Sequence, residues 1–255
     1  MTSEHAPFRA EVPPPQSDPV ALVTGSSTGI GAAVARRLRA SGRFVVVHSK
    51  SSTVAGEALA RSLDGLYLRA DLADEAEARA LVGSVLERCG RLDVLVNNAA
   101  VSWRIPHQDL AAVTPAVWRE ILDVNLIAPW VLIQEAAPAL AESPDGCIVN
   151  VSSHAGSRPM GSSIPYAVSK AALDHLTRLL AVTLGPAVRV NAVAPGLVET
   201  ARTAGWTEFH QLWRERAPLR RAATPEDIAA VVAALVDTPY LTGDVVLADG
   251  GLHLR

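Results

Sequence analysis

Short unbroken apolar runs alternate along the chain with longer stretches in which apolar positions recur every three or four residues. The runs are residues 20–24 (VALVT), 44–48 (FVVVH), 66–70, 94–97, 147–152 and 188–193. A last one, 244–248, precedes the Asp-Gly-Gly of residues 249–251. The helical stretches are 32–40, 54–62, 75–88, 115–137, 166–183 and 225–235. VALV, VVV and IVNV are continuous rather than alternating, as in strands covered on both faces. Strand–helix alternation of this kind predicts βαβ units and an α/β fold, a doubly wound parallel sheet of about seven strands. No linker divides the pattern, so residues 19–255 are expected to form one domain.

Residues 1–18 carry prolines and mixed charges but no apolar stretch of the secretory type, and are expected to be a flexible N-terminal tail. Helices 115–137 and 166–183 are apolar over more than one face. The second offers Ala167, Ala171, Ala172, Leu173, Leu176, Leu179 and Leu180. That surplus fits either a wide core-facing stripe or burial against another subunit.

Composition narrows the class. With 49% hydrophobic and 19% charged residues the chain is globular rather than disordered. A net charge of −3 gives no basic footprint for nucleic acid. No run of about 18 apolar residues appears, so no membrane span is expected. Cys89 and Cys147 are isolated, without metal-type spacing, and fit small buried hydrophobes in a reducing, cytoplasmic setting. No metal site is expected.

The first candidate chemistry lies in VALVTGSSTGIGAAVARRL, which reads strand, glycine-rich turn, helix. Gly25, Gly29 and Gly31 would let the backbone approach a phosphate at a helix N-terminus. The second strand ends in HSKSS, and no acidic residue lies between Phe44 and Val54. An acid there would bind a ribose diol, whereas Lys50 with Ser49, Ser51 and Ser52 suits a 2′-phosphate. This favours NADP(H), with NAD(H) left open.

The second candidate is the pair Tyr166 and Lys170, four residues apart and so on one helix face. An ammonium beside a phenol favours the phenolate, the direction an acid–base group needs. VNVSS places Ser153 at the carboxyl edge of the sheet, where its hydroxyl could reach a carbonyl oxygen beside the phenol. Asn97 fits a buried amide bracing neighbouring strands. His154 either faces substrate or is structural.

These residues occur in the order TGSSTGIG, NNAA (97–100), DVN (123–125), Ser153, Tyr166-x-x-x-Lys170 and APG (194–196). From about residue 18 onward the chain resembles the short-chain dehydrogenase/reductase family. The resemblance implies a Rossmann-type fold and reversible hydride transfer between a nicotinamide and a carbonyl or alcohol. By it Tyr166 looks like the general acid, Lys170 the residue that lowers its pKa and holds the nicotinamide ribose, and Ser153 the residue that orients the carbonyl. Asn125 would anchor a water leading from Lys170. Gly25, Ser27, Ile30, Asp71, Asn98 and Ala99 match cofactor positions, Asp71 at the adenine. Pro195, Gly196 and Val198 match the nicotinamide segment, and Thr200 its carboxamide or pyrophosphate contact. The family also implies a homotetramer on the two long helices and the last strand.

Substrate is less legible. Residues 199–217 correspond to the family's mobile lid, where Trp206, Phe209 and Trp213 would share one helix face. Trp206, Met160 and His154 are candidate substrate contacts. The motif set looks like 3-oxoacyl carrier-protein reductases and related ketoreductases. TLGPAVRVN and the ending DGGLHLR look more like pteridine and dihydromonapterin reductases, although those commonly carry aspartate in place of Ser153. A carbonyl reductase is the main reading, with a pterin reductase or a catalytically silent nucleotide sensor as alternatives.

Overall fold

A computed structural model describes residues 18–255; apart from Asp18, the expected tail lies outside the described residues. Seven strands, β1 Val20–Val23, β2 Phe44–Ser49, β3 Leu66–Arg69, β4 Val94–Asn97, β5 Cys147–Val151, β6 Arg189–Pro195 and β7 Val245–Ala248, form one sheet. Their order is β3-β2-β1-β4-β5-β6-β7, and every pairing is parallel. The strand order reverses direction at β1/β4, the place where open α/β sheets bind ligands.

Both faces of the sheet are dry because alternate residues of each strand feed different cores. Val20 and Leu22 point into one cluster, Ala21 and Val23 into the other. The first cluster is roofed by α3 Glu75–Cys89, α5 Ala128–Glu142 and α6 Ile164–Leu184. The second is roofed by α1 Gly29–Ala40, α2 Thr53–Ser62 and α8 Pro225–Asp237. Local chemistry fixes the helix ends. Asp74 accepts from Ala76 and Glu77 N–H at the start of α3, and Gly90 ends it at φ +72°. Thr224 and Asp227 form a reciprocal capping box on α8. A chain of buried amides joins the layers: Asn97 Nδ2 donates to Asn150 Oδ1 and Asn150 Nδ2 to Thr177 Oγ1, both at 2.9 Å.

The expected helix 115–137 is three pieces. It runs as α4 Pro115–Leu122, a π-helical turn Asp123–Ile127, and α5, which continues to Glu142. The wider π turn swings Asn125 into the interior, where it is fully buried, and such turns gather at functional sites. Pro115–Glu142 is also the one helical stretch among the described residues long and apolar enough to cross a bilayer. Here it packs Ile121, Val131, Leu132 and Ile133 into the fold instead.

His48, at the end of β2, holds the glycine turn. Its Nδ1 accepts from Gly25 N–H at 3.1 Å, and Nε2–H donates to Ala70 O at 3.1 Å. Gly25's amide can only donate, so the neutral ring carries its proton on Nε2. Burial pulls its pKa from 6.5 to about 4, with the Ala70 carbonyl opposing. A depressed histidine stabilises the fold in full above pH 6.5, and that contribution is lost progressively as pH falls to about 4. The whole swing is on the order of 3 kcal/mol. The aspartates with lowered pKa start from 3.8, and so act below this window. Stability measured by urea unfolding is expected to drop by about 2 kcal/mol between pH 7.5 and 5. His48→Gln should flatten that slope, and an unchanged slope in the variant would remove His48 as its cause.

Candidate active site

Loops leaving β1 and β4 diverge at the reversal of strand order and open a cleft of about 330 Å³. Gly25 turns there at φ +62°, and a Cβ on it would come 2.9 Å from Ala99 Cα. At Gly31 a Cβ would stand 2.5 Å from both Asn98 Nδ2 and Gly25 O, so any side chain would close the turn. The first turn of α1 has no acidic residue and no side-chain cap, which leaves its N–H groups and positive dipole end toward the cleft. Ser27, Gly29 and Ile30 line the phosphate end. Ser49, Lys50, Ser51 and Asp71 line the far end, with Asn98, Ala99 and Thr200 between. Backbone donors, hydroxyls, an ammonium and one carboxylate fit a dinucleotide, its phosphates at α1 and its adenosine beside Asp71.

Lys50 is not free in this arrangement. Its Nζ lies 2.7 Å from Asp71 Oδ2, and that hydrogen bond holds the Asp71 carboxyl below the usual range. Lys50 is well exposed and Arg69 Nη1 donates to its carbonyl at 3.4 Å, so two cations share this corner.

A second cavity, about 120 Å³, adjoins the cleft and shares Ile30, Asn98, Ala100, Thr200 and Arg202 with it. Ser153, Tyr166 and Lys170 line it, as do Pro195, Gly196 and Val198 from the end of β6. The predicted trio is thus brought together from β5 and α6. Burial pushes the Tyr166 phenol's pKa up, while the charge of Arg202 and the hydrogen bond with Ser153 pull it down. Tyr166 therefore stands as a protonated acid.

Here the structure differs from the sequence expectation that Lys170 draws Tyr166 toward its phenolate. Lys170 Nζ donates to Val151 O at 2.8 Å and sits 5.9 Å from the centre of the Tyr166 ring. Burial, and after it the charge of Arg202, lower its own pKa to about 7, with Asp174 opposing. Desolvation weakens the charge that was to act on the phenol, and the cation that lowers the Tyr166 pKa is Arg202. Asn125 lines neither opening. Its Oδ1 accepts from Val101 N–H, and its Nδ2 donates to Val101 O and Ser169 Oγ. It braces α6 beneath the cavity floor.

The outer wall is α7 Thr207–Arg216 with the residues before it. Trp213 is buried with Leu197, Ala217, Ala222 and Leu252, whereas Trp206 and Phe209 pack together at 5.6 Å and face the cavity. Met160 and His154 line the opposite side. His154 is nearly fully buried and bonds Asp249 Oδ2 at 2.7 Å. Sequence reasoning did not place His48, Arg202 or Asp249 at the site. Arg202 follows Thr200 in a stretch with no periodic signal, and Asp249 reaches the site from a strand 95 residues beyond His154.

Comparison with known proteins agrees with this architecture. A family model described as enoyl-(acyl carrier protein) reductase matches residues 25–253. A Streptomyces violaceoruber protein named as ketoacyl reductase 2 of the granaticin polyketide synthase is 58% identical over 240 residues, 92% of this chain and 96% of its own. A blue fluorescent protein from a metagenomic library, solved with NADPH, is 35% identical at a TM-score of 0.84, covering 92% of this chain and 97% of its own. A gluconate 5-dehydrogenase from Burkholderia cenocepacia J2315, solved with NADP and tartrate, is 27% identical at a TM-score of 0.85, covering 93% and 96%. The sheet order, the glycine turn and the Ser153–Tyr166–Lys170 grouping, together with these matches, mean that the chain belongs to the short-chain dehydrogenase/reductase family.

Proposed function

We propose that this oxidoreductase is an NADP(H)-dependent ketoreductase that uses Tyr166 as proton donor, Ser153 as carbonyl-orienting group and Lys170 as the buried amine that returns the proton to Tyr166. The observation that carries the reading is the shared wall. Tyr166 and Ser153 line one cavity, which opens directly onto the dinucleotide cleft at Ile30, Asn98 and Thr200. When bound, the reduced nicotinamide supplies the hydride. Ser153 donates to the carbonyl oxygen and fixes its direction. Tyr166, kept protonated by burial, delivers the proton as negative charge grows on that oxygen. The resulting phenolate is stabilised by Arg202 and regains its proton from the protonated form of Lys170, whose pKa of about 7 suits transfer near neutrality. Asn125 holds α6 through Ser169, one residue before Lys170.

Lys50 and Arg69 support the 2′-phosphate reading, because a phosphate entering between them can replace Asp71 as the partner of Lys50. Residues 199–217 act as the lid. The similarity to the granaticin ketoacyl reductase favours a polyketide-type β-ketoacyl substrate. The exposed Ile127 before α5, Trp130 on α5, and Leu179 and Val182 on α6 support a homotetramer built on these helices.

Tyr166→Phe is expected to lower kcat for an activated ketone by about 10²–10⁴-fold while leaving the NADPH Kd within twofold. Unchanged turnover would sink the mechanism. Lys50→Ala should weaken NADPH about tenfold and NADH little, measured by fluorescence titration; equal loss for both would overturn the cofactor assignment. In sedimentation velocity, Val182→Glu should move the protein to smaller species, and a monomeric wild type would discard the tetramer.

A further inference from the structure

The cavity holds one polar atom that neither the fold nor the proposed mechanism uses. His154 follows Ser153 directly, is 3% exposed and lines the cavity. Asp249, equally buried, receives four N–H groups: His154 Nδ1 at 2.7 Å, His253 N at 2.8 Å, His253 Nδ1 at 2.8 Å and Gly251 N at 2.9 Å. Burial alone would raise its pKa, yet the hydrogen bonds from His253, His154 and Gly251 hold it below the usual range, so it is an ionised carboxylate. An ionised carboxylate only accepts. Both imidazoles must then carry hydrogen on Nδ1, and that tautomer of His154 has its lone pair on Nε2. That Nε2 has no partner among the described residues and is not sealed from solvent, so it opens on the cavity the ring lines.

The ring cannot swing away. Asp249 grips one edge, and Trp213 packs on it edge-to-face at 6.0 Å and 69°. Trp213 is itself held by its Nε1–H on Asp249 O at 3.2 Å. Ser102 and Ser162, two hydroxyl residues of the cavity lining, are hydrogen-bonded to each other at 2.6 Å. The same cavity is lined by Met160, Trp206 and Phe209, a setting for a flat apolar ring.

We propose that His154 is a specificity-determining residue whose Nε2 accepts a hydrogen bond from a hydroxyl group of the substrate, selecting ring-bearing ketones with a phenolic or enolic O–H. This rests on the carbonyl-reductase reading of the same cavity. Asp249 is the positioning residue that fixes the tautomer, and through it the last turn of the chain takes part in substrate choice. The ligand is held at two points: its carbonyl by Ser153 and Tyr166, its hydroxyl by His154.

The test uses acetophenone, its three hydroxy isomers and their methyl ethers, with kcat/KM measured under saturating NADPH. Binding to the NADP⁺ complex is measured separately by quenching of the cavity tryptophans. In the wild type at least one hydroxy isomer should exceed both its methyl ether and the parent ketone by tenfold or more in kcat/KM and in affinity. In His154→Phe that ratio should fall to about twofold, and His154→Gln, which keeps a polar group at the wall, should recover part of it. The proposal is overturned by a wild type with no hydroxyl preference, by preference for the methyl ether, or by a preference that survives in His154→Phe. Because the wild-type series needs no variant, poor folding of the Phe protein does not spoil the experiment. Turnover of every ketone without discrimination would reject His154 and keep the reductase; tenfold tighter binding of a hydroxy isomer with no turnover would do the reverse.

Discussion

The site depends on the burial of Lys170 behind the end of β5. An ammonium taken out of water must be hydrogen-bonded or lose its charge, and among the described residues the partner bonded to it is the Val151 carbonyl at 2.8 Å. That contact ties α6 to the strand that carries Ser153, so the phenol one turn earlier on α6 meets the serine hydroxyl without either lying on a long loop. The support around it is polar: Asn125 on Ser169, Ser152 on the Lys170 carbonyl, and Asn150 on Thr177. With burial lowering Lys170 and raising Tyr166, the pair stands as a near-neutral amine beside a neutral phenol. Arg202, arriving from the loop after β6, is the charge that biases both.

The dinucleotide cleft is held by a different device. Its glycines create room, but room alone does not fix a turn. His48 clamps Gly25 from below and Ser26 Oγ bonds Val23 O, while Thr24 Oγ1 accepts from the amides of Asn98 and Ala99. The loops after β1 and β4 are thus stitched to each other at the reversal of strand order. The stitch is made of neutral groups, so the charge balance of the cleft is left to Lys50, Asp71 and Arg69 at its outer corner.

At the opposite end, Asp249 gathers the C-terminal turn. Two histidines and two backbone amides converge on one buried carboxylate, and Trp213 of α7 bonds the same residue's carbonyl. Helix α7, the turn after the last strand and the residue beside Ser153 share a single polar knot. Substitutions in the final six residues would reach the cavity through it, although none of those residues lines the cavity.

The sequence by itself determined the sheet, its layers and most of the site positions. Continuous apolar runs alternating with helical stretches read as strands buried on both faces, and glycines at a strand-to-helix turn read as a close backbone approach. Tyr166 and Lys170 share a face because a helix repeats every 3.6 residues. Such rules are local, and local patterns survive translation from sequence to structure. What only the tertiary structure decided is the charge on each group. Whether Lys170 keeps its proton, which cation reaches Tyr166 and which ring nitrogen of His154 faces the cavity depend on burial and on partners 95 residues away or from another loop. Desolvation and through-space charge have no period along a chain, so no pattern of residues records them.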